Sequence, residues 1–469
     1  MAVHEPDLAD PTSESQQWTF DQGTEVGRLA QGLFPGGMEV TEGYKHLAEA
    51  VETTKRLLEQ GASTLYEPAF VFNSVLVRAD ILTAVDGGWD VYEVKSSGEL
   101  KPQHVTDAAV QTYVIEGAGL PVRRSYVVHL NKEYEYLGGQ HDAGALFAVE
   151  DVTEAVRAYL PAIPDQLAIF QGMLERDEPR RLIGTQCRNP YPCSFTRHCH
   201  AFLPDRYPVT DIPRISQKAL HALLADGVTC ILDIPDGCDF LTAKQVDAML
   251  VVKRGEPFVD TDGLAAEFEK LTFPLYHLDF EAANPALPIW PRSRPYEVIP
   301  FQYSIHVEHE DGTLEHREYL QTDGSDPRRA LAEQLLADLG ESGSVVHYTN
   351  YELKILAGLA ERLPDLAEPV AKVVGRLFDL EPVVKEFARH PEACGRTSIK
   401  YALPAWCPEL SYKDMNIGDG MTAATRYVKA VRRLVDEATA QQTFRDLLDY
   451  CELDTLAMVR LYDTLRQLI

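Results

Sequence analysis

A chain of 469 residues is too long for one hydrophobic core, so two or three domains are expected. Its 45% hydrophobic and 25% charged residues are ordinary for a soluble globular protein, and no apolar run approaches the ~20 residues of a membrane helix. The formal charge of −28 argues against a surface that coats nucleic acid indiscriminately, yet leaves room for an enzyme whose cations are confined to one groove.

The start, Met1-Ala2-Val3-His4-Glu5-Pro6-Asp7, is acidic and lacks the basic and apolar regions of a signal peptide, which places the protein in the cytosol. Residues 14–60 read as helical, interrupted at Pro35-Gly36-Gly37. Strand-like runs follow at Val75–Leu82, Trp89–Ser97 and Ser125–Asn131, the first two joined by the tight-turn sequence Asp86-Gly87-Gly88. Pro102–Gly117 and Val152–Leu174 read as helices. This order describes an α/β domain with a small mixed sheet. From Asp211 to about Lys270, short helices and turns read as a connector. Strands resume at Leu275–Phe280, Ile299–Val307, Glu315–Gln321 and Val345–Tyr348, with helices at Pro327–Leu339, Tyr351–Arg362 and from Gln442 to the end. This is a second α/β domain. The basic clusters Arg123-Arg124, Arg180-Arg181 and Lys429/Arg432/Arg433 each read singly as solvated faces.

In the first domain, Glu93 and Lys95 stand two apart on a strand and share a face, and Asp80 reaches the same place from the partner strand. Two carboxylates suffice for a Mg²⁺ that keeps several waters, and a nearby lysine can orient or help deprotonate the attacking one. Glu-x-Lys alone is a weak signal, because alternating charge on a solvated edge looks the same. Gln111 and Tyr113, on the next helix after Asp107, add to it, and Glu67 is a further acid nearby.

Eight cysteines in a reducing compartment point to metal or catalytic use rather than to a disulfide scaffold. Cys187, Cys193 and Cys199 lie close together with His198 and His200. Thiolates there suit zinc or an iron–sulfur cluster, each of which normally takes four ligands. His198 or His200 could be the fourth, or the site could be incomplete.

In the second domain, Asp279 and Glu281 share one face of an apolar strand, and two acids on a half-buried strand call for a cation or many hydrogen bonds. Tyr450 and Asp454 lie one helical turn apart on a single face. Glu352 follows the strand Val345–Tyr348. Asp379 is another acid, equally well read as a helix cap.

The Asp80, Glu93-x-Lys95 and Gln111/Tyr113 set resembles RecB-type PD-(D/E)XK nucleases. That resemblance implies Asp80 and Glu93 as metal ligands, Lys95 as the catalytic lysine and Gln111 as an auxiliary polar group. The Gly23–Gly27 element departs from the family by lacking a histidine. The cysteine block resembles that of iron–sulfur nucleases, in which an N-terminal cysteine joins three C-terminal ones, implying a [4Fe–4S] cluster or Zn²⁺ with the fourth ligand not identified. Asp279, Glu281, Glu352, Tyr450 and Asp454 resemble the DEDD exonucleases of the ribonuclease H-like fold, with Glu352 where that family has aspartate. The resemblance implies Asp279, Glu281, Glu352 and Asp454 as ligands of Mg²⁺ or Mn²⁺, and Tyr450 as the residue that positions the nucleophilic water.

Together with Phe20–Gly27, Ser398–Pro404 and Tyr450–Asp454, these phrases resemble the bacterial proteins grouped as domain of unknown function 2779. Members usually begin with a further segment containing Cys-Pro-Lys, so a late start site or a truncated homologue is expected here. The implied architecture is α/β throughout: a PD-(D/E)XK domain over 1–205, a helical connector over 206–270 and a ribonuclease H-like domain over 271–469. The expected function is metal-dependent, exonucleolytic hydrolysis of DNA or RNA in nucleic-acid processing, repair or defence, with no membrane partner and protein partners unknown. The alternatives are a binding protein with a degenerate N-terminal nuclease domain and a non-enzymatic nucleic-acid assembly factor.

Overall fold

Ser13 opens the first long helix, Glu14–Ala30, with a reciprocal cap: its hydroxyl accepts from Gln16 N at 3.2 Å while the Gln16 side chain accepts from Ser13 N at 3.0 Å. The computed structural model describes residues 2–43, 45–176, 181–410 and 415–469, so Arg180 of the Arg180-Arg181 pair lies outside the described residues. The chain divides into two compact units. One consists of Ser13–Pro179 with Asn284–Glu297, the other of Met1–Thr12, Arg180–Ala283 and Val298–Ile469. Residues 206–270 thus group with the C-terminal unit. No described helix is long and apolar enough to cross a membrane.

The N-terminal unit contains strands β1 (Met38–Glu39), β2 (Thr64–Tyr66), β3 (Ala69–Phe72), β4 (Val75–Arg78), β5 (Ile81–Val85), β6 (Gly88–Lys95), β7 (Val122–Leu130) and β8 (Phe147–Asp151). Six of them form a mixed sheet in the order β1-β2-β5-β6-β7-β8, and β3 and β4 pair apart from it. Val85 pairs with Gly88 across the β5–β6 hairpin, and Gly87 supplies the positive φ of +80° that the turn requires. β6 and β7 are parallel, so the chain must cross over between them, and helix Pro102–Gly117 makes that connection.

Val75–Leu82, expected as one strand, is two. Ala79 and Asp80 break it by bonding to the Glu67-Pro68 turn, with Ala79 N donating to Pro68 O and Glu67 N to Asp80 O, each at 3.0 Å. The expected helix over Val152–Leu174 is likewise split into Thr153–Tyr159 and Ile163–Leu174, because Pro161 in the intervening turn has no N–H to continue the ladder. The excursion Asn284–Glu297 completes this unit. Ala286 N donates to the Gln22 side chain at 2.8 Å, Tyr136 N donates to Ser293 O at 3.0 Å, and Ala286 and Leu287 are buried with Val26, Tyr66 and Val128.

The C-terminal unit contains β9 (Phe258–Val259), β10 (Leu275–Ala283), β11 (Ile299–Glu308), β12 (Leu314–Leu320), β13 (Ser344–His347), β14 (Leu377–Asp379) and β15 (Ala388–Arg389). Its main sheet has the order β12-β11-β10-β13-β14. The β10–β11 and β11–β12 pairs are antiparallel, and β10–β13 and β13–β14 are parallel. β10 is therefore central, with alternate side chains on opposite faces. Tyr276, Leu278 and Phe280 pack with Leu331, Leu335, Ile355 and Leu359 of helices Arg328–Leu339 and Tyr351–Arg362. His277, Asp279 and Glu281 take the other face, which carries helix Glu437–Arg466. Phe280→Ala is expected to destabilise the fold by about 3–5 kcal/mol, read from urea unfolding followed by circular dichroism, since the side chain is 2% exposed and leaves a cavity.

The register slips between Glu281 and Ala282, leaving Phe301 as the extra residue of β11 and setting Pro300 opposite Ala282. A strand proline is tolerated at such a bulge, and the bulge re-aims the acidic end of β10. Helices Gln217–Ala225 and Ala243–Arg254 enclose a separate core of Val209, Leu220, Leu223, Ile231 and Met249.

Candidate metal centre

The sheet face that carries the acids of β10 meets helix Glu437–Arg466 through polar contacts as well as apolar ones. Thr455 of helix Glu437–Arg466 shares hydrogen bonds with Ser304 and His306, both at 2.8 Å, and Gln302 donates to Leu447 O at 2.7 Å. Asp279, Glu281 and Asp454 converge there, with one ligand atom from each lying within 4.8 Å of the others. Among the described residues, no other group of three histidine, cysteine or acidic side chains is as close.

Glu281 and Asp454 are buried, and Asp279 is partly so. Burial, then Asp454, Glu352 and Glu281, hold the Asp279 carboxyl well above the usual range. Burial and then Asp454 push Glu281 up to about 8, against an opposing pull from Lys400. Carboxylates this close cannot all ionise without a cation between them. The Cys451 thiol donates weakly to Asp279 Oδ2 at 3.6 Å, and burial raises its pKa, so it stays a neutral donor.

The other expected members sit around this centre to different degrees. Tyr450 is buried one turn before Asp454. Glu352, in the first turn of helix Tyr351–Arg362, is buried and shares a hydrogen bond with His347 Nδ1 at 3.2 Å, outside the tight trio. Asp379 caps helix Leu380–Phe387, accepting from Glu381 N at 3.0 Å and Thr349 N at 2.9 Å.

Four neighbours carry no functional signal in the sequence. Lys400 and Asp419 both act electrostatically on Glu281, and a Cβ on Gly420 would lie 3.4 Å from Glu281 Oε2. Tyr351 lies at the rim, where burial and the acids Glu281, Asp279 and Glu352 raise its phenol. Lys400 lies within Ser398–Pro404, a stretch that the family resemblance marks without implying a role for it.

In the N-terminal unit, Asp80, Glu93, Lys95 and Gln111 do meet. Asp80 Oδ2 accepts from Val94 N at 2.6 Å. Lys95 Nζ sits 2.6 Å from both Glu93 Oε1 and Asp107 Oδ2, and Gln111 Nε2 donates to Glu93 Oε2. Burial, then Glu93, raise the Asp80 carboxyl well above its usual range. Burial favours neutral Lys95, but Glu93 and Asp107 outweigh it, so the side chain is held as a cation and not as a base. Glu67 meets Arg78 at 3.4 Å, and Tyr113 accepts from Asn73 at 3.3 Å.

Cys187, Cys193 and Cys199 are partly buried and not in disulfides, and among the described residues their thiols do not form a close group as the carboxylates do. His200 Nε2 is buried without a hydrogen-bond partner among the described residues.

The fold and site define an α/β protein with a buried carboxylate cluster beneath its C-terminal helix. Residues 276–398 match the family model described as Domain of unknown function (DUF2779), which supports the resemblance drawn from the sequence. That span contains Asp279, Glu281 and Glu352. The uncharacterized protein UU173 of Ureaplasma parvum serovar 3 is 26% identical over 227 residues, covering 43% of this chain and 32% of the relative, so the chain spans about a third of that relative's length. No solved structure matches the chain.

Proposed function

We propose that the protein is a metal-dependent nuclease acting exonucleolytically on DNA or RNA, with its chemistry in the C-terminal unit. The convergence of Asp279, Glu281 and Asp454 carries this reading. In it, the C-terminal sheet is ribonuclease H-like, supported by a central β10 that bears two acids between an antiparallel and a parallel neighbour. The N-terminal unit is PD-(D/E)XK-like, supported by β6 carrying Glu93 and Lys95 beside a crossover helix carrying Gln111.

The donors are hard oxygens, which suit Mg²⁺ or Mn²⁺, and the mutual repulsion of the trio is what such a cation relieves. Asp279, Glu281 and Asp454 would hold it. When bound, divalent ions supply charge neutralisation at the phosphate and an activated water. Glu352 would join through the carboxylate oxygen that His347 does not engage, and Tyr450 would orient the water from one turn before Asp454. Zinc or a [4Fe–4S] cluster at Cys187, Cys193 and Cys199 would require those thiols to draw together, with His200 a buried nitrogen in the same block.

One observation favours a binding role for the N-terminal unit. Both Glu93 oxygens are already engaged, by Lys95 and by Gln111, which satisfies the carboxylate without a metal. In Mn²⁺-supported degradation of single-stranded DNA and RNA, Asp279→Asn is therefore expected to lose activity and Lys95→Ala to keep most of it. The reverse pattern would move the chemistry to the N-terminal unit. Tight binding with no cleavage under any divalent metal would reject the nuclease reading altogether.

A further inference from the structure

The acidic cluster accounts for cutting a phosphodiester, but not for how a polyanion is held by a chain of formal charge −28. One cavity of the C-terminal unit has the opposite character. Its volume is about 610 Å³, within the range of nucleotide-sized pockets. Helix Ala243–Arg254, helix Leu380–Phe387, β15 and the segment entering helix Ile399–Trp406 enclose it.

Five cations line this cavity: Arg214, Lys244, Lys385, Arg389 and Arg396. They outnumber its acids, Asp247, Glu381 and Glu386. Arg396 is committed to the fold, paired with both carboxylate oxygens of Asp211 at 3.2 and 2.9 Å and stacked over Tyr401 at 3.7 Å. Glu381 is occupied by Thr397 at 2.6 Å. Arg389 is not saturated. It lies over the Phe258 ring at 4.2 Å, has a single long contact with Asp247 at 3.6 Å, and its Nε is buried without a hydrogen-bond partner among the described residues. Lys244 and Lys385 are exposed. A phosphate would give Lys244 and Lys385 a charge-assisted partner that none of the described residues supplies, and would give Arg389 a closer one than Asp247.

The same wall carries aromatic surface. His390 and Trp406 meet edge to face at 5.1 Å, a platform for a base beside the cations. Cations next to aromatic rings are how single strands are held without sequence preference. The helix that brings Trp406 to the cavity also carries Lys400, which donates to Gly418 O at 3.1 Å, close in the chain to Gly420 beside Glu281. One short helix thus borders both the cavity and the acidic cluster.

We propose that the cavity docks a phosphorylated nucleoside, either one unit of a single strand leading to the acidic cluster or a free nucleotide. The choice of a nucleotide over other anions rests on the nuclease reading above.

The test is anisotropy titration of the full chain with a short fluorescent oligothymidylate in Ca²⁺, with thymidine 5′-monophosphate as competitor. Lys244→Glu/Lys385→Glu is compared with Lys218→Glu/Lys372→Glu, which makes the same change of charge on exposed lysines outside the cavity. The cavity pair is expected to weaken oligonucleotide binding about ten- to a hundredfold and to reduce the salt slope by about 1.4, for two lost phosphate contacts. Arg389→Met, which keeps an apolar stem on Phe258, is expected to weaken it several-fold at an unchanged melting temperature.

If only the monophosphate binds, and the cavity pair abolishes it, the ligand is the free nucleotide. Equal losses in the cavity and control pairs, or none in either, overturn the proposal. Charge-sensitive binding by a protein that cleaves nothing with Mg²⁺ or Mn²⁺ would uphold the cavity and reject the nuclease reading. Cleavage with binding indifferent to the cavity pair would do the converse.

Discussion

Asp454→Asn is expected to lower Mn²⁺-supported hydrolysis of a single-stranded oligonucleotide by about 10³-fold, equivalent to about 4 kcal/mol of transition-state stabilisation. Asparagine keeps the shape and one neutral acceptor but removes a charge from a trio whose ligand atoms lie within 4.8 Å. The same change removes the neighbour that, after burial, most raises Asp279 and Glu281, so it relieves repulsion in the metal-free fold. Activity should therefore collapse while the melting temperature without metal rises, as is common where function stores strain. Paired initial-rate and thermal-unfolding measurements read both. A variant within tenfold of wild-type activity would remove Asp454 from the reaction.

Without metal, the protein is expected to lose stability as pH rises from about 4.5 to 8. The Glu281 carboxyl is pushed up to about 8 in the folded state, from an ordinary 4.5. Between those values the folded protein keeps a proton that the unfolded chain has released, so each rise in pH favours unfolding. The shift bounds the effect at about 5 kcal/mol, and Asp279, also raised, acts in the same direction. Mn²⁺ takes the place of the proton, so the stabilisation it gives should grow between pH 6 and pH 8. Thermal scans with and without Mn²⁺, on wild type and Glu281→Gln, isolate this contribution. A Mn²⁺ increment independent of pH and unchanged in Glu281→Gln would contradict it.

Where local chemistry dominates, the sequence was legible. β10 announced itself through the alternation in Tyr276–Glu281, the β5–β6 turn through Asp86-Gly87-Gly88, and the crossover helix through Pro102–Gly117. What escaped depends on partners distant in the chain. The break at Ala79–Asp80 is made by the Glu67-Pro68 turn, and three-residue β14 is a strand only because β13 lies beside it. Helix Ile399–Trp406 was hidden by its internal Pro404, and with it the approach of Lys400 to Glu281. Asp279, Glu281 and Asp454 were named from spacing and resemblance, and the structure brings them together. Glu352, read by the same logic, is hydrogen-bonded to His347 yet near enough to the cluster to raise Asp279. Spacing reports which face of an element a residue occupies, not which partner reaches it first.

The excursion Asn284–Glu297 bears on how the protein is made and how it can be altered. The ribosome delivers β10, the central strand of the C-terminal sheet, before it delivers the segment that completes the N-terminal unit. Neither unit can therefore finish folding as the chain emerges without part of the other having been synthesised. A fragment beginning near residue 271 would strand Ala286 and Leu287 without Gln22 and the core they share with Val26 and Tyr66. It would also discard Arg180–Lys270, which belong to its own unit. The two units are interleaved in the gene, so exchanging either for a homologous domain requires four crossovers, two of them bounding the segment Asn284–Glu297 between β10 and β11.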